Sequence, residues 1–150
     1  MNTLKKGDKA PDFTAVDEKG EAHKLSDYAG KKLVVYFYPK ASTPGCTAEA
    51  CNLRDNYERF LAQGYEILGV SADAPKKLQN FKEKYNLPFT LISDEDKKVI
   101  NAFGVWGPKK FMGREFDGIH RTTFIINEKG IIEDVITKVN TKEHTSQILQ

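Results

Sequence analysis

The run Leu33-Val34-Val35-Tyr36-Phe37-Tyr38 constrains this chain more than any other segment. It is short, apolar or aromatic throughout, and shows no polar alternation. Such a run reads as a β-strand buried on both faces. A strand of that kind needs cover above and below, and Pro39 ends it. From about Pro44 to Gln63 apolar residues recur at helical spacing, with Gly64 as the stop signal. Tyr65 to Ser71 (YEILGVS) then reads as a second strand. Strand, helix and strand in succession imply a parallel pair joined by a right-handed crossover.

The remaining pattern extends this unit. A second helix is predicted from about Pro75 to Tyr85, and a short strand around Phe89 to Ile92. Ser93 suits the N-cap of a third helix, with Asp94, Glu95 and Asp96 in its first turn and an end near Gly104. Gly104 to Gly118 follows neither period and carries Gly and Pro, so it is predicted as a loop. His120 to Asn127 and Ile131 to Thr137, joined by Glu128-Lys129-Gly130, predict a hairpin. The segment FTAVDEKGEAHKLS predicts another, turning at Asp17 to Gly20, and the tail from Thr141 predicts a short helix. The sum is an α/β fold in three layers, a mixed β-sheet flanked by helices. A length of 150 residues fits one domain spanning 1–150. With 39% hydrophobic residues there is material for one core, which argues against disorder despite a mean hydropathy of -0.54.

Charge excludes some function classes. The 23 basic and 21 acidic side chains nearly cancel, and no basic block exceeds two residues. A nucleic-acid partner is therefore not expected, because such proteins carry a basic stripe or cluster. No apolar stretch approaches the ~20 residues of a membrane span, so no membrane partner is expected. Met1 to Lys9 has two adjacent lysines but no apolar stretch behind them, unlike a secretory signal. The expected compartment is the cytoplasm, where thiols stay reduced.

Against that background the two cysteines, Cys46 and Cys51, are informative by position. Cys46 follows a buried strand at the start of a helix in which Thr43 can be the N-cap and Pro44 the first helical residue. Free backbone N–H groups and the positive end of the helix dipole favour a thiolate there, the reactive form. The alternative is a small buried hydrophobe. Cys51 comes after four intervening residues, which is not the C-x-x-C redox spacing. No second pair exists, and the nearest histidines are His23 and His120, so a metal site is not expected. Cys46, Ala50, Leu53, Tyr57 and Phe60 form an apolar stripe that would face the sheet. Cys51 sits about 100° round from Ala50, on the flank. Among arginines, Arg54, Arg59, Arg114 and Arg121 all compete to stabilise a thiolate. Arg121 stands out by lying in a predicted strand flanked by apolar residues. Trp106 and Phe111, in the predicted loop, could wall the site or simply pack the core.

The stretch FYPKASTPGCTAEAC resembles the active-site signature of the peroxiredoxins, Pro-x-x-x-Thr-x-x-Cys, present as Pro39, Thr43 and Cys46. It is most similar to the bacterioferritin comigratory protein, or PrxQ-type, branch. Other landmarks occur in the same order: Gly7-Asp8-Lys9-Ala10-Pro11-Asp12-Phe13, Asn52-Leu53-Arg54-Asp55 and Gly118-Ile119-His120-Arg121-Thr122-Thr123-Phe124. The one departure is a C-terminus that stops shortly after His144-Thr145-Ser146-Gln147-Ile148-Leu149. That bears on the length of the last helix, not on the chemistry.

The resemblance implies a thioredoxin-like fold and a thiol peroxidase acting on hydrogen peroxide and organic hydroperoxides. It implies Cys46 as the peroxidatic cysteine, Cys51 as the resolving cysteine and Arg121 as the active-site arginine. Thr43 would offer its hydroxyl to the thiolate and the peroxide, and Pro39 would shield the thiolate from water. The cycle needs no cofactor: no metal, flavin or haem. Thioredoxin or a similar dithiol is the expected reductant, and a monomer is the expected state. Rival readings are a protein-disulfide oxidoreductase on the same fold, against which the spacing and Thr43 argue, and a non-enzymatic redox sensor or chaperone-like module.

Overall fold

A computed structural model describes residues 1–149; Gln150, the last position of the predicted single-domain span, lies outside the described residues. The elements in chain order are β1 (Thr14–Asp17), β2 (Ala22–Lys24), a 3-10 turn (Leu25–Tyr28), β3 (Lys32–Phe37), α1 (Pro44–Asp55) and α2 (Tyr57–Ala62). They continue with β4 (Tyr65–Ser71), α3 (Pro75–Tyr85), β5 (Thr90–Ser93), α4 (Lys98–Ala102) and β6 (Trp106–Phe111). The last four are β7 (Arg114–Ile119), β8 (Thr122–Ile126), β9 (Ile132–Ile136) and α5 (His144–Ile148).

One sheet of seven strands has the order β2-β1-β5-β4-β3-β8-β9. β3 runs parallel to β4, and β4 to β5; β1, β2, β8 and β9 pair antiparallel. The sheet is therefore mixed, as the pattern predicted, and β3 stands at its interior. Alternate residues of the apolar run serve two cores. Val34, Tyr36 and Tyr38 join Cys46, Ala50, Leu53, Phe60, Leu78 and Phe81 on the face covered by α1, α2 and α3. Leu33, Val35 and Phe37 join Phe103, Phe124, Val99 and Ile100 on the face covered by α4. This double burial is why the strand shows no polar alternation. Among the described residues no helix is long and apolar enough to cross a membrane.

Three local expectations are corrected. The helix predicted from Pro44 to Gln63 is two helices, broken at Asn56, whose backbone (φ -116°, ψ 11°) leaves helical space. The Asn56 side chain donates to the Asn52 carbonyl at 2.9 Å, a local bond that competes with the helical ladder. The third helix does not begin at Ser93, which ends β5 and donates its hydroxyl to the Asp73 carbonyl. Asp94 instead accepts the N–H groups of Val99 and Ile100 at 3.2 and 2.7 Å, and α4 starts at Lys98. The predicted loop from Gly104 to Gly118 is a β-hairpin, β6 with β7. Its two-residue turn, Met112-Gly113, takes φ of 52° and 79°, the left-handed pair that primed hairpin turns require. The hairpin is largely exposed, so it had no apolar alternation to announce it.

Candidate active site

Cys46 lies in the first turn of α1, at the C-terminal end of β3, and is buried at 1% exposure. The loop between β3 and α1 is pinned from below by Asp73. Its carboxylate accepts the Ala41 N–H at 2.8 Å and the Ser71 hydroxyl at 2.8 Å. Ser42 within that loop takes a left-handed φ of 64°, a conformation the surroundings must impose on a non-glycine residue. Thr43 occupies the N-cap position in extended conformation, as predicted. Its hydroxyl, however, donates to the Lys40 carbonyl at 2.8 Å and caps no amide of α1. The capping role expected of that side chain is thus corrected. Among the described residues the Thr43 hydroxyl oxygen accepts no hydrogen bond, and Pro39 is half-buried at the strand end.

Arg121, between β7 and β8, reaches the sulfur. Its Nη2 donates to Cys46 Sγ at 3.3 Å, and its Nη1 donates to Glu49 Oε1 at 2.7 Å. Gly45 makes room for this approach, since a Cβ there would lie 3.2 Å from Arg121 Nη2. Of the four competing arginines, Arg54 instead bonds Asp55 and the Tyr85 carbonyl, and Arg59 bonds Asn56. Arg114 lies exposed on the hairpin. Burial works against the Arg121 charge, but Glu49 and Cys46 together hold its pKa above the ordinary value. A fixed cation at hydrogen-bond distance from sulfur favours the thiolate.

Cys51 lies five residues further along α1, half-buried on the flank, and both cysteines are free thiols. Trp106 packs on the opposite core with Lys97 over its ring, and Phe111 is 66% exposed at the hairpin tip. A cavity of about 520 Å³ opens near Leu33, Ile126 and Lys129, at the far end of β3 from the sulfur. Among the described residues no group of three or more His, Cys, Asp or Glu side chains is arranged to hold a metal ion.

Sequence patterning does not single out two residues of the cluster, Glu49 and His144. Glu49 is fully buried, and burial pushes it up to about 7 against the pull of Arg121. Its place three residues after Cys46 sets it in the apolar stripe, where a carboxylate is conspicuous. His144 of α5 is also fully buried, with Nε2 3.5 Å from Glu49 Oε2. Nothing in the tail sequence singles it out.

The AhpC/TSA family pattern matches residues 6–135. Peroxiredoxin Bcp of Escherichia coli strain K12 is 51% identical over 149 residues, covering 99% of this chain and 96% of that protein. PrxQ of Xylella fastidiosa superposes with a TM-score of 0.93 at 29% identity, covering 99% of this chain and 95% of that one. The bacterioferritin comigratory protein of Xanthomonas campestris, described for its alkyl peroxide reduction activity, superposes with a TM-score of 0.86 at 36% identity, covering 91% of this chain and 87% of its own. The mixed sheet and its helical layers are the thioredoxin-like arrangement of these structures.

Proposed function

The chain belongs to the AhpC/TSA family, among its Bcp-type peroxiredoxins, and from that premise we propose how it works as a thiol peroxidase. The observation that carries the reading is the 3.3 Å hydrogen bond from Arg121 to Cys46. Cys46 is the peroxidatic residue. Its thiolate attacks the terminal oxygen of hydrogen peroxide or an alkyl hydroperoxide, and the O–O bond breaks. The electron pair leaves on hydroxide or alkoxide, which takes a proton, and Cys46 becomes a sulfenic acid. Arg121 neutralises charge on the sulfur and on the departing oxygen. Thr43, with its hydrogen committed to Lys40, accepts from the peroxide O–H, and Pro39 limits water at the sulfur. Cys51 is the resolving residue: its sulfur attacks Cys46, water leaves, and an intramolecular disulfide forms. The residues act within one domain spanning 1–150, as a monomer in the cytoplasm, and thioredoxin or a similar dithiol restores the two thiols.

Resolution requires α1 to open. Five residues along an α-helix advance about 7.5 Å and turn about 140° net, which sets the two Cα atoms roughly 8.6 Å apart. A disulfide closes only below about 7 Å. Opening that passes Cys51 reaches Asn52, which ties α1 to α5: its Oδ1 accepts the Thr145 N–H at 2.8 Å and its Nδ2 donates to the Lys142 carbonyl at 2.9 Å. Amide exchange on reduced and oxidised protein is therefore expected to show protection lost from Ala48 to Leu53, and at Thr145, in the disulfide form only. Equal protection in both forms would rule out the opening. The activity itself is tested by peroxide-dependent NADPH oxidation coupled through thioredoxin and its reductase. Turnover is expected with hydrogen peroxide and with an alkyl hydroperoxide. Disulfide exchange without peroxide consumption would instead mark a protein-disulfide oxidoreductase.

A further inference from the structure

Behind Arg121, among the described residues, a carboxylate oxygen is buried without a partner, as are the hydroxyls of Tyr36 and Tyr38. Glu49 Oε1 accepts from Arg121, but Glu49 Oε2 has no hydrogen bond and faces His144 Nε2 at 3.5 Å. The neighbours of His144 decide its tautomer. Gln147 Oε1 accepts the Asn140 N–H at 2.9 Å, and Gln147 Nε2 donates to the Lys138 carbonyl at 2.9 Å. Gln147 Oε1, 2.8 Å from His144 Nδ1, is thus an acceptor, and Nδ1 carries the hydrogen. In the neutral ring Nε2 then presents a lone pair, with Thr123 Oγ1 donating to it at 2.7 Å. Thr123 thereby uses the one lone pair of Nε2, which has no hydrogen to give Glu49, and an ionised Oε2 without a donor is costly in a buried site. One proton on Glu49 removes that cost.

Charge decides where that proton sits. The charged and titratable groups facing the pair are Arg121, Cys46, Tyr36 and Tyr38, with Lys109 beyond Arg121. An imidazolium would add a second cation beside Arg121, and burial and Arg121 both hold His144 below its ordinary range. A neutral carboxylic acid adds no charge. With a thiolate at Cys46 the guanidinium is already balanced, and an ionised Glu49 would leave a net negative charge inside the protein. Once the sulfur is uncharged the reverse holds, and an ionised Glu49 is what balances Arg121.

We propose that Glu49 is a proton-holding positioning residue: a carboxylic acid in the reduced enzyme, which ionises when Cys46 is oxidised. While the acid is neutral, the Arg121 charge serves the thiolate alone. The inference rests on Cys46 being the sulfur that peroxide oxidises. The step balances: thiolate and hydroperoxide give sulfenic acid and alkoxide, and the alkoxide requires one proton to become the alcohol. Glu49 releases one proton as the sulfur loses its charge, so the solvent supplies none in net. His144 marks the far end of the pair, and α5 carries it there.

Infrared difference spectra of reduced against oxidised Cys51→Ser protein test this directly, with one equivalent of peroxide and Cys46 oxidation counted by mass in the same sample. That variant stops at the sulfenic acid, so α1 stays closed and Glu49 keeps its surroundings. It is expected to lose one buried carboxylic-acid C=O band per sulfur oxidised. Cys51→Ser combined with Glu49→Gln is expected to lose none, and to take up one more solvent proton per sulfur than Cys51→Ser alone, read by an indicator in weak buffer. A merely structural Glu49 would move neither signal. Oxidation of Cys46 in Cys51→Ser with the carboxylic-acid band unchanged overturns the inference and leaves the peroxidase reading intact. Absence of oxidation overturns both. The Cys51→Ser measurement decides the matter even where the double variant does not fold.

Discussion

Replacing Cys46 with serine reduces peroxide consumption to the uncatalysed background, because an alcohol at that position ionises far too weakly to attack the O–O bond. The loss is total and not partial, since no second thiol occupies the first turn of α1 beside Arg121. Cys51→Ser behaves differently. It consumes one equivalent of peroxide, then stalls as the sulfenic acid or proceeds to the sulfinic acid under excess peroxide. Quench-flow oxidation followed by mass measurement separates the two variants. Peroxide reactivity retained in Cys46→Ser and absent from Cys51→Ser would reverse the assignment. The burial of the two sulfurs sets the asymmetry. Cys46 is held against a cation in the interior, whereas Cys51 is half-buried on the flank of α1.

Arg121→Ala has the next largest effect. A hydrogen bond to a charged partner contributes about 1.5–3 kcal/mol, and about 1.4 kcal/mol is tenfold in rate, so Cys46 oxidation slows roughly ten- to a hundredfold. The substitution also strips Glu49 of the pull that opposes its burial, so Glu49 binds its proton more tightly. The sign follows from its folded pKa, already raised to about 7, moving further up when the cation is removed. Arg114→Ala, on the exposed hairpin strand, leaves the rate unchanged. Thiolate absorbance against pH on both variants checks the account. A titration unchanged in Arg121→Ala but displaced in Arg114→Ala contradicts it.

The sequence was most legible where one physical demand dominated. Leu33 to Tyr38 had to be a doubly buried strand, and its alternate side chains do serve two cores. The stripe Cys46, Ala50, Leu53 and Phe60 had to face the sheet, and all four are buried, with Tyr57 only partly covered. Legibility failed where two local rules competed. Asn56 could continue a helix or bond its own turn, and the side-chain bond to Asn52 prevailed. Ser93 resembled an N-cap, but the neighbouring carboxylate of Asp94 reached the α4 amides instead. At Met112-Gly113 a methionine in left-handed conformation disguised a hairpin turn that Asn-Gly would have declared. The site shows the same division. Cys46 and its helix start were visible because local sequence builds them. The Arg121 contact joins positions far apart in the chain; an apolar strand setting set Arg121 only slightly above the other three arginines, and the family resemblance made the choice. Glu49 and His144 meet only because α5 folds back on α1, a contact no spacing encodes.

The most direct test of the mechanism treats fully reduced protein with one equivalent of hydrogen peroxide, followed by intact mass, thiol counting and peptide mapping under non-reducing conditions. The account predicts a single chain lighter by two hydrogens, no free thiol, and Cys46 joined to Cys51. A chain heavier by one oxygen with Cys51 still free, or a disulfide joining two chains, would contradict intramolecular resolution.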